Sequence, residues 1–386
     1  MSALDTTSYD SSDLQGVYTY TDLKAVYYGP GSIETALPTL LEKLGAKKAL
    51  IVTGKSLFEK TDVIKQIEAI LRKRDAYGGV FYEIGEHAPV AGIKNGLAKF
   101  KEVGADIVVA VGGGSPVDAT KAILYNLQKE QGGEFKKQIA IPTTLSAAEY
   151  TIGAGYTNED GVKVAVSAPE LAPAAIILDA KLTLATPERL WLSTGIRALD
   201  HAVEGLYRPL VPPPLKHLFY GAIADLFKYL PQSKANPQDI AIRQKLQLAS
   251  WMSMWPVKFD RYSALGLSHA LGHKLGAAYS IPHGITSCLT LAPVVAIKAD
   301  AATDEEKKWL ADALFYICRP SQGSEEKDIL ALSQAIDQLV ADLGLRSTLA
   351  HYKVPKEDIE SIAEKALGGK QDALFPRVVA LLEKLY

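Results

Sequence analysis

An apolar run, Ile107-Val108-Val109-Ala110-Val111, passes without a break into Gly112-Gly113-Gly114-Ser115-Pro116-Val117-Asp118-Ala119-Thr120-Lys121, and this junction constrains the chain more than any other. A run without polar alternation suits a strand covered on both faces, and the segment after it reads as the opening of a helix. Three glycines let a phosphate approach the backbone closely, and Pro116 suits a first helical turn, where its missing N–H costs little. Backbone N–H groups at such a helix start, the Ser115 hydroxyl and the positive end of the dipole form an anion site. The alternative is a tight strand-to-helix turn that binds nothing. The run is neither a P-loop, which needs Gly-Lys-Ser/Thr, nor a GxGxxG.

From Lys47 to Ile141 the same rhythm repeats: Ala49-Leu50-Ile51-Val52, a helix-like stretch to Arg74, Val80 to Ile84, a second helical stretch from Ile93 to Val103, then the strand of the glycine run. That is the pattern of a parallel α/β sheet. A further strand, Gln138 to Ala140, leads into Ile141-Pro142-Thr143-Thr144-Leu145-Ser146, whose hydroxyls fall where open α/β sheets bind ligands, although Ser and Thr are also ordinary turn residues. Upstream, Val17–Tyr20 and Ala25–Tyr28 read as a hairpin or edge pair, and edge strands of this kind pair between subunits, which predicts a homodimer. After about Pro187 the periods become helical, at Ile240–Met252, Glu305–Cys318, Ile329–Leu343 and Lys356–Ala366. The predicted fold is therefore α/β plus all-α: a parallel-sheet dinucleotide-binding domain over residues 1–186, then a helical catalytic and substrate domain over 187–386, with the functional cleft between them.

The charge balance narrows the partners. With 42 Lys+Arg against 44 Asp+Glu and no long basic block, the chain lacks the attraction that nucleic acid or an anionic membrane requires, so a small-molecule substrate is expected. Cys288 and Cys318 have no CxxC spacing and read as buried thiols of a reducing, cytoplasmic compartment. The N-terminal residues 1–16 are polar and lack an apolar signal segment. Leu275 to Ile297 is free of formal charge and long enough to cross a bilayer, but Pro282, Gly284 and Pro293 within it favour a buried protein interior.

Four histidines are the strongest chemical signal in the second half. His201 lies in one helical stretch, and His269, His273 and His283 lie between Ser268 and Gly284, with His269 and His273 four apart on one helix face. A lone histidine is more often structural, whereas four converging on a cleft serve metal binding or acid–base chemistry.

Three motifs in order, the GGGSxxDxxK run, the Pro-Thr-Thr segment and the HxxxH…Pro-His-Gly stretch, resemble the iron-containing alcohol dehydrogenase superfamily over most of the chain. The resemblance implies an NAD(P)-binding α/β domain, a helical domain holding a divalent metal, Fe or Zn, and hydride transfer in the cleft. It implies that Gly113, Gly114 and Ser115 hold the pyrophosphate, with Asp118 in the same cofactor-binding run, that Thr143 and Thr144 line the nucleotide, and that Lys163 approaches the ribose. The short Pro142–Thr151 segment and Glu86-His87-Ala88-Pro89-Val90 point toward the maleylacetate reductase branch. Ala147-Ala148 in place of Gly-Ser, and the residues around Lys163, depart from it.

Metal-dependent members carry Asp-x-x-x-His on one helix and two further His ligands. The three histidines match His201, His269 and His283, but Arg197 stands at the aspartate position. Asp200, adjacent to His201, points about 100° away around a helix and cannot simply take over. Either Arg197 replaces the ion, anchoring a substrate carboxylate or polarising a carbonyl, or Arg197 turns outward and the three histidines hold a metal with water as fourth ligand. By the same resemblance His273 lies beside nicotinamide and substrate, placed to deliver a proton. After Ala49–Thr53 the NAD-preferring members have an acid, and this chain has Gly54-Lys55, which permits a 2′-phosphate and hence NADPH. The expected activity is an NAD(P)H-dependent reductase of a small oxo acid or related carbonyl compound. A metal-dependent alcohol or aldehyde dehydrogenase, or a nucleotide-binding protein without redox activity, are the alternatives.

Overall fold

In the computed structural model the described residues are 16–20, 23–84, 90–157, 163–209, 211, 213–255 and 264–386; the side chains of 16–20, 157, 163 and 164 lie outside them. The N-terminal arm and the Glu86–Pro89 motif fall among the rest. Two compact units result, the first made of residues up to Thr143 with Thr151–Thr186 and Gln238–Gln247, the second of Thr144–Tyr150, Pro187–Pro237 and Leu248–Tyr386.

Among the described residues the first unit has nine strands and seven helices: β1 (Gly16–Tyr20), β2 (Leu23–Tyr28), α1 (Ile33–Leu44), β3 (Ala49–Gly54), α2 (Lys55–Lys60), α3 (Val63–Arg72), β4 (Tyr77–Ile84), α4 (Val90–Glu102), β5 (Ile107–Gly112), α5 (Gly114–Gln131), β6 (Lys137–Pro142), β7 (Gly153–Thr157), β8 (Lys163–Ser167), β9 (Ala175–Leu178) and α6 (Ala180–Thr183), with the start of α9 (Ile240–Ser253). Seven strands form one sheet in the order β1-β2-β9-β6-β5-β3-β4, parallel except for β1, which pairs antiparallel with β2 at the edge. The hairpin read from the sequence is thus present, and β7 and β8 make a separate two-stranded ribbon that the sequence pattern did not reveal.

Successive residues of a strand point to opposite faces, so the unbroken apolar runs feed two cores at once. Ile51 and Val109 pack with Leu37, Leu40, Ile67 and Leu71 of α1 and α3, whereas Leu50, Val52 and Val108 pack with Ile93, Leu97 and Ile123 of α4 and α5. At about 1.5–3 kcal/mol for each buried Leu, Ile or Val side chain, these two faces hold the sheet between its helices. One face of α9 meets the carbonyls that end β9 and β6, Gln244 Nε2 donating to Leu178 O at 3.0 Å and Gln247 Nε2 to Pro142 O at 3.3 Å, while Arg243 Nη1 donates at 2.8 Å to Thr183 O at the end of α6. Fully buried Lys121 ties α5 to the ribbon, its ammonium donating to Thr151 Oγ1 at 2.8 Å and Gly153 O at 3.0 Å and facing Asp118 Oδ1 at 3.3 Å. Lys121→Met is expected to lower the free energy of unfolding by about 2–3 kcal/mol, because charged hydrogen bonds are lost in a dry site. Urea titration of both proteins checks this, and an unchanged midpoint would show that the ammonium contributes nothing.

The second unit is helical: α7 (Glu188–Tyr207), α8 (Pro213–Ala235), the rest of α9, α10 (Leu267–Tyr279), α11 (His283–Ala301), α12 (Asp304–Tyr316), α13 (Glu325–Asp342), α14 (Ile359–Leu367) and α15 (Phe375–Lys384). Every residue of α7 from Trp191 to Tyr207 is buried, since α8, α11 and α12 pack around it. The uncharged stretch is broken by Ser280, at φ 54°, and by Pro282 before α11. Helix α11 is long and apolar enough to span a bilayer, but 67% of that window is buried here, as in a core helix. The cysteine reading needs correction: both thiols are free, but Cys318 is exposed and Cys288 only partly buried. Cys318 stands beyond the end of α12 at φ 57°, where the chain turns outward and buries nothing.

Candidate functional site

In the first unit, the carboxyl ends of β3, β5 and β6 are neighbours, and the sequence-predicted cofactor residues gather there. Gly112 closes β5 at φ 135°, and a Cβ there would lie 3.1 Å from Pro116 Cγ, so the turn accepts only glycine. Gly113 is the N-cap of α5 and no side chain caps the helix. The N–H groups of Gly114 and Ser115 therefore point out of the first turn as donors for an anion. Thr143 sits beside this turn, its N–H donating to Gly112 O at 2.9 Å and its carbonyl accepting from Thr186 Oγ1 at 2.7 Å. Asp118, by contrast, faces Lys121. Gly54 is the N-cap of α2, and exposed Lys55 stands next to it, 3.7 Å from Glu59 Oε1. The side chain of Lys163 lies outside the described residues.

The second unit contains the histidines. Buried Thr144 begins a segment held by Leu145, whose N–H donates to Thr194 Oγ1 at 3.1 Å and whose carbonyl accepts from Ser250 Oγ at 3.1 Å. Farther along, Arg197, Asp200, His201 and Glu204 form one stripe of α7, at the three- and four-residue spacing that stacks side chains along a helix. His269 and His273 project from α10, and His283, Ser287 and Thr290 from α11. Rings follow one another from His201 to His269 (centroids 4.8 Å, stacked), to His273 (6.5 Å, edge-on) and to His283 (6.0 Å, edge-on). His201 and His269 are buried, His283 is half-buried and His273 is exposed.

Beneath the rings lies a charge network. His269 Nδ1 is 2.7 Å from Glu204 Oε2 and 3.4 Å from Asp200 Oδ1. Glu204 Oε1 also accepts from the Ser268 N–H at 2.7 Å and from Tyr207 OH at 3.0 Å. Asp200 Oδ2 accepts from Ser287 Oγ at 2.6 Å and Ser268 Oγ at 2.9 Å, with Arg197 Nη1 at 3.8 Å. Arg197 itself, 8% exposed, donates to Ser287 Oγ at 3.2 Å. Gly266, the residue before α10, is required by this arrangement, because a Cβ there would come within 2.6 Å of Glu204 Oε1. His201 Nδ1 and His269 Nε2 are buried without a hydrogen-bond partner.

The environments divide the groups by charge. Burial lowers the His269 pKa and Arg197 adds to that, but Asp200 and Glu204 outweigh both and hold it above the ordinary histidine value. Burial would raise the Asp200 carboxyl, yet His269 and Arg197 bring it below the usual carboxylate range. Burial, reinforced by His269 and Arg197, drives His201 well down, so its ring is neutral. The result sets Arg197, with the protonated form of His269 favoured, against the carboxylates of Asp200 and Glu204.

The structure therefore turns Arg197 inward and puts the four predicted histidines in sequence. Asp200, which the sequence argument set aside, is the hub of the network, and Glu204, Ser268 and Ser287 were not foreseen as members of it. The i, i+4 spacing of Asp200 and Glu204 on α7 was the available signal. Asp200, Glu204 and His269 also offer ligand atoms within 4.8 Å of one another, a set different from the three histidines expected to hold a metal.

Residues 24–180 match the family described as iron-containing alcohol dehydrogenase, and residues 191–382 match the Fe-containing alcohol dehydrogenase family, C-terminal. The chain is 29% identical to maleylacetate reductase of Rhizobium sp. over 353 residues, 90% of this chain and 91% of that one. It is 29% identical to lactaldehyde reductase of Escherichia coli over 383 residues, 93% and 97% of the two chains. The crystal structure of maleylacetate reductase from Agrobacterium tumefaciens superposes with a TM-score of 0.78 at 26% identity, covering 94% of this chain and 95% of that one.

Proposed function

The chain belongs to the iron-containing alcohol dehydrogenase family, near its maleylacetate reductase branch, and is an oxidoreductase acting on the CH–OH/C=O pair; from that premise we propose that it is an NAD(P)H-dependent reductase of a small oxo acid that works without a divalent metal. The observation that carries this reading is Arg197, buried at the family's carboxylate position and fixed by Ser287 beside Asp200.

The family's metal does not fit these residues. The Arg197 guanidinium stands where the resemblance puts a metal-ligating carboxylate and lies 3.8 Å from Asp200 Oδ2, so it repels a divalent ion and takes up negative charge that the ion would need. The dinucleotide does fit: the uncapped N–H groups of Gly114 and Ser115 would meet its phosphates, and Thr143 would line it. Bound there, the reduced cofactor supplies hydride to a carbonyl carbon. Arg197 spends one of its five N–H donors on Ser287 and keeps others for a substrate carboxylate or the developing oxyanion. The unpartnered nitrogens of His201 and His269 are further polar contacts for substrate oxygens. Glu204 acts through His269, as a positioning residue that fixes the ring and its proton, and exposed His273 delivers the proton that the reduced oxygen takes up.

The test is oxidation of NADPH and NADH by chelator-treated, metal-assayed enzyme with maleylacetate as substrate. Turnover without metal is expected. Turnover only after zinc or ferrous ion is restored would mean that His201, His269 and His283 hold a metal in spite of Arg197, with His269 oriented for it by Glu204. Nucleotide binding without reduction of any carbonyl compound would overturn the enzyme reading. At the ribose end β3 is followed by Gly54 and Lys55 in place of an acid, and the contact of Lys55 with Glu59 is an exposed one that leaves the ammonium open to a 2′-phosphate, so NADPH is the expected partner. Lys55→Asp should lower the NADPH-to-NADH ratio of kcat/KM at least about tenfold. A wild-type enzyme that strongly prefers NADH would contradict this assignment.

A further inference from the structure

Away from the histidines, the second unit holds two adjoining cavities, of about 470 and about 510 Å³, that share Arg346, Ser347 and Thr348 as a common wall. The sequence builds that wall firmly. Gly344 turns the chain after α13 at φ 70°, and Leu345 and Leu349 are buried, so the three residues between them are left to face the cavities. The Leu349 N–H is bound to Leu385 O at 2.8 Å, and Thr348 Oγ1 accepts from the His351 N–H at 3.1 Å.

The two cavities differ in chemistry. One is completed by Arg189, from the first turn of α7, with His351 and Tyr352. The other is lined largely by carbon, chiefly Leu289, Ala292 and Pro293 of α11 and Leu385. Arg346 is already paired with Asp337, whereas no carboxylate among the described residues pairs with Arg189. One uncompensated cation, two hydroxyls and an apolar trough in continuity describe a receptor for a singly charged head on a hydrocarbon stem.

We propose that the joined cavities bind a small amphipathic monocarboxylate, its head held by Arg189, Ser347 and Thr348 and its stem laid along Leu289, Ala292 and Leu385. This site is separate from the reactive one. Ser287, which reaches Arg197 and Asp200, lies about 100–200° around α11 from Cys288 and Leu289, so the helix turns one side to the charge network and another to the cavities.

The probe is octanoate, titrated calorimetrically into the full-length protein, with acetate as head without stem and octanol as stem without head. Octanoate is expected to bind at one equivalent with Kd about millimolar, and each fragment at least about tenfold more weakly. Arg189→Glu and the gentler Arg189→Met should each weaken octanoate at least about tenfold, while Lys365→Glu, which removes an exposed cation elsewhere in the same unit, should leave it unchanged. The proposal is overturned if octanoate gives no binding at about 20 mM, if acetate binds as well, or if both Arg189 variants, folded by circular dichroism, retain wild-type affinity.

Discussion

Exchanging Arg197 for aspartate is expected to make the chain retain about one equivalent of zinc, where the wild type retains none, and to lower metal-free turnover at least about a hundredfold. The expectation follows from charge and helix geometry together. Residues 197 and 201 are one turn apart on α7, so a carboxylate at 197 would face the same side as His201. The substitution also removes a guanidinium and adds a third carboxylate beside Asp200 and Glu204. That swing of two negative charges in a dry site attracts a divalent ion and is destabilising without one. Under the proposed function turnover falls because the guanidinium assigned to the substrate is gone. Arg197→Gln, which can still reach Ser287 and adds no charge, is the companion: it should lose turnover without gaining metal. Metal content after dialysis against zinc or ferrous ion, measured on folded protein, decides. If the aspartate variant holds no more of either than the wild type, or if the wild type already holds an equivalent, Arg197 does not stand in for an ion.

What could be read from the sequence depended on how each element is buried. The strands of the first unit were legible because Ala49–Val52 and Ile107–Val111 are apolar on both faces and end in Gly-rich turns, a pattern with few other meanings. The helical stretch around His201 in α7 was legible as well, but its burial on all sides from Trp191 to Tyr207 was not, because its stripe of Arg197, Asp200, His201 and Glu204 is made of residue types usually found at the surface. The β7–β8 ribbon was missed for a different reason: Gly153-Ala154-Gly155 has little strand propensity, and the pairing comes from context such as Lys121 on the Gly153 carbonyl. The start of α9 shows a third limit. Its helical pattern was plain, but Arg243, Gln244 and Gln247 belong to the sheet unit because they answer carbonyls at the ends of α6, β9 and β6, which no periodicity records. In the candidate site the histidines stood out by scarcity and spacing. Asp200 and Glu204 did not, since carboxylates are common on helices, and the hydroxyls of Ser268 and Ser287 acquire meaning only once α10 and α11 lie against α7.

His273→Gln is expected to lower turnover at least about tenfold while leaving the Kd for NADPH within about threefold of wild type. The position of the ring supports a role in proton delivery over one in structure. His201 and His269 are buried in the network, whereas His273 is exposed, edge-on to His269 and to His283, so it can exchange its proton with water between turnovers. Glutamine keeps the size and the hydrogen-bonding capacity but carries no exchangeable acid proton, so packing against a nicotinamide would survive the change and protonation of the product oxygen would not. The pH profile separates the two. An acid must be protonated to act, so wild-type kcat should fall on the alkaline side, and in the variant that alkaline limb should flatten at the lower rate. If turnover is unchanged, or if the alkaline limb persists in the variant, the proton comes from elsewhere. The same profile on Glu204→Gln then becomes informative, because loss of that carboxylate destabilises the His269 imidazolium without touching His273, and a shift confined to the Glu204 variant would make His269 the donor.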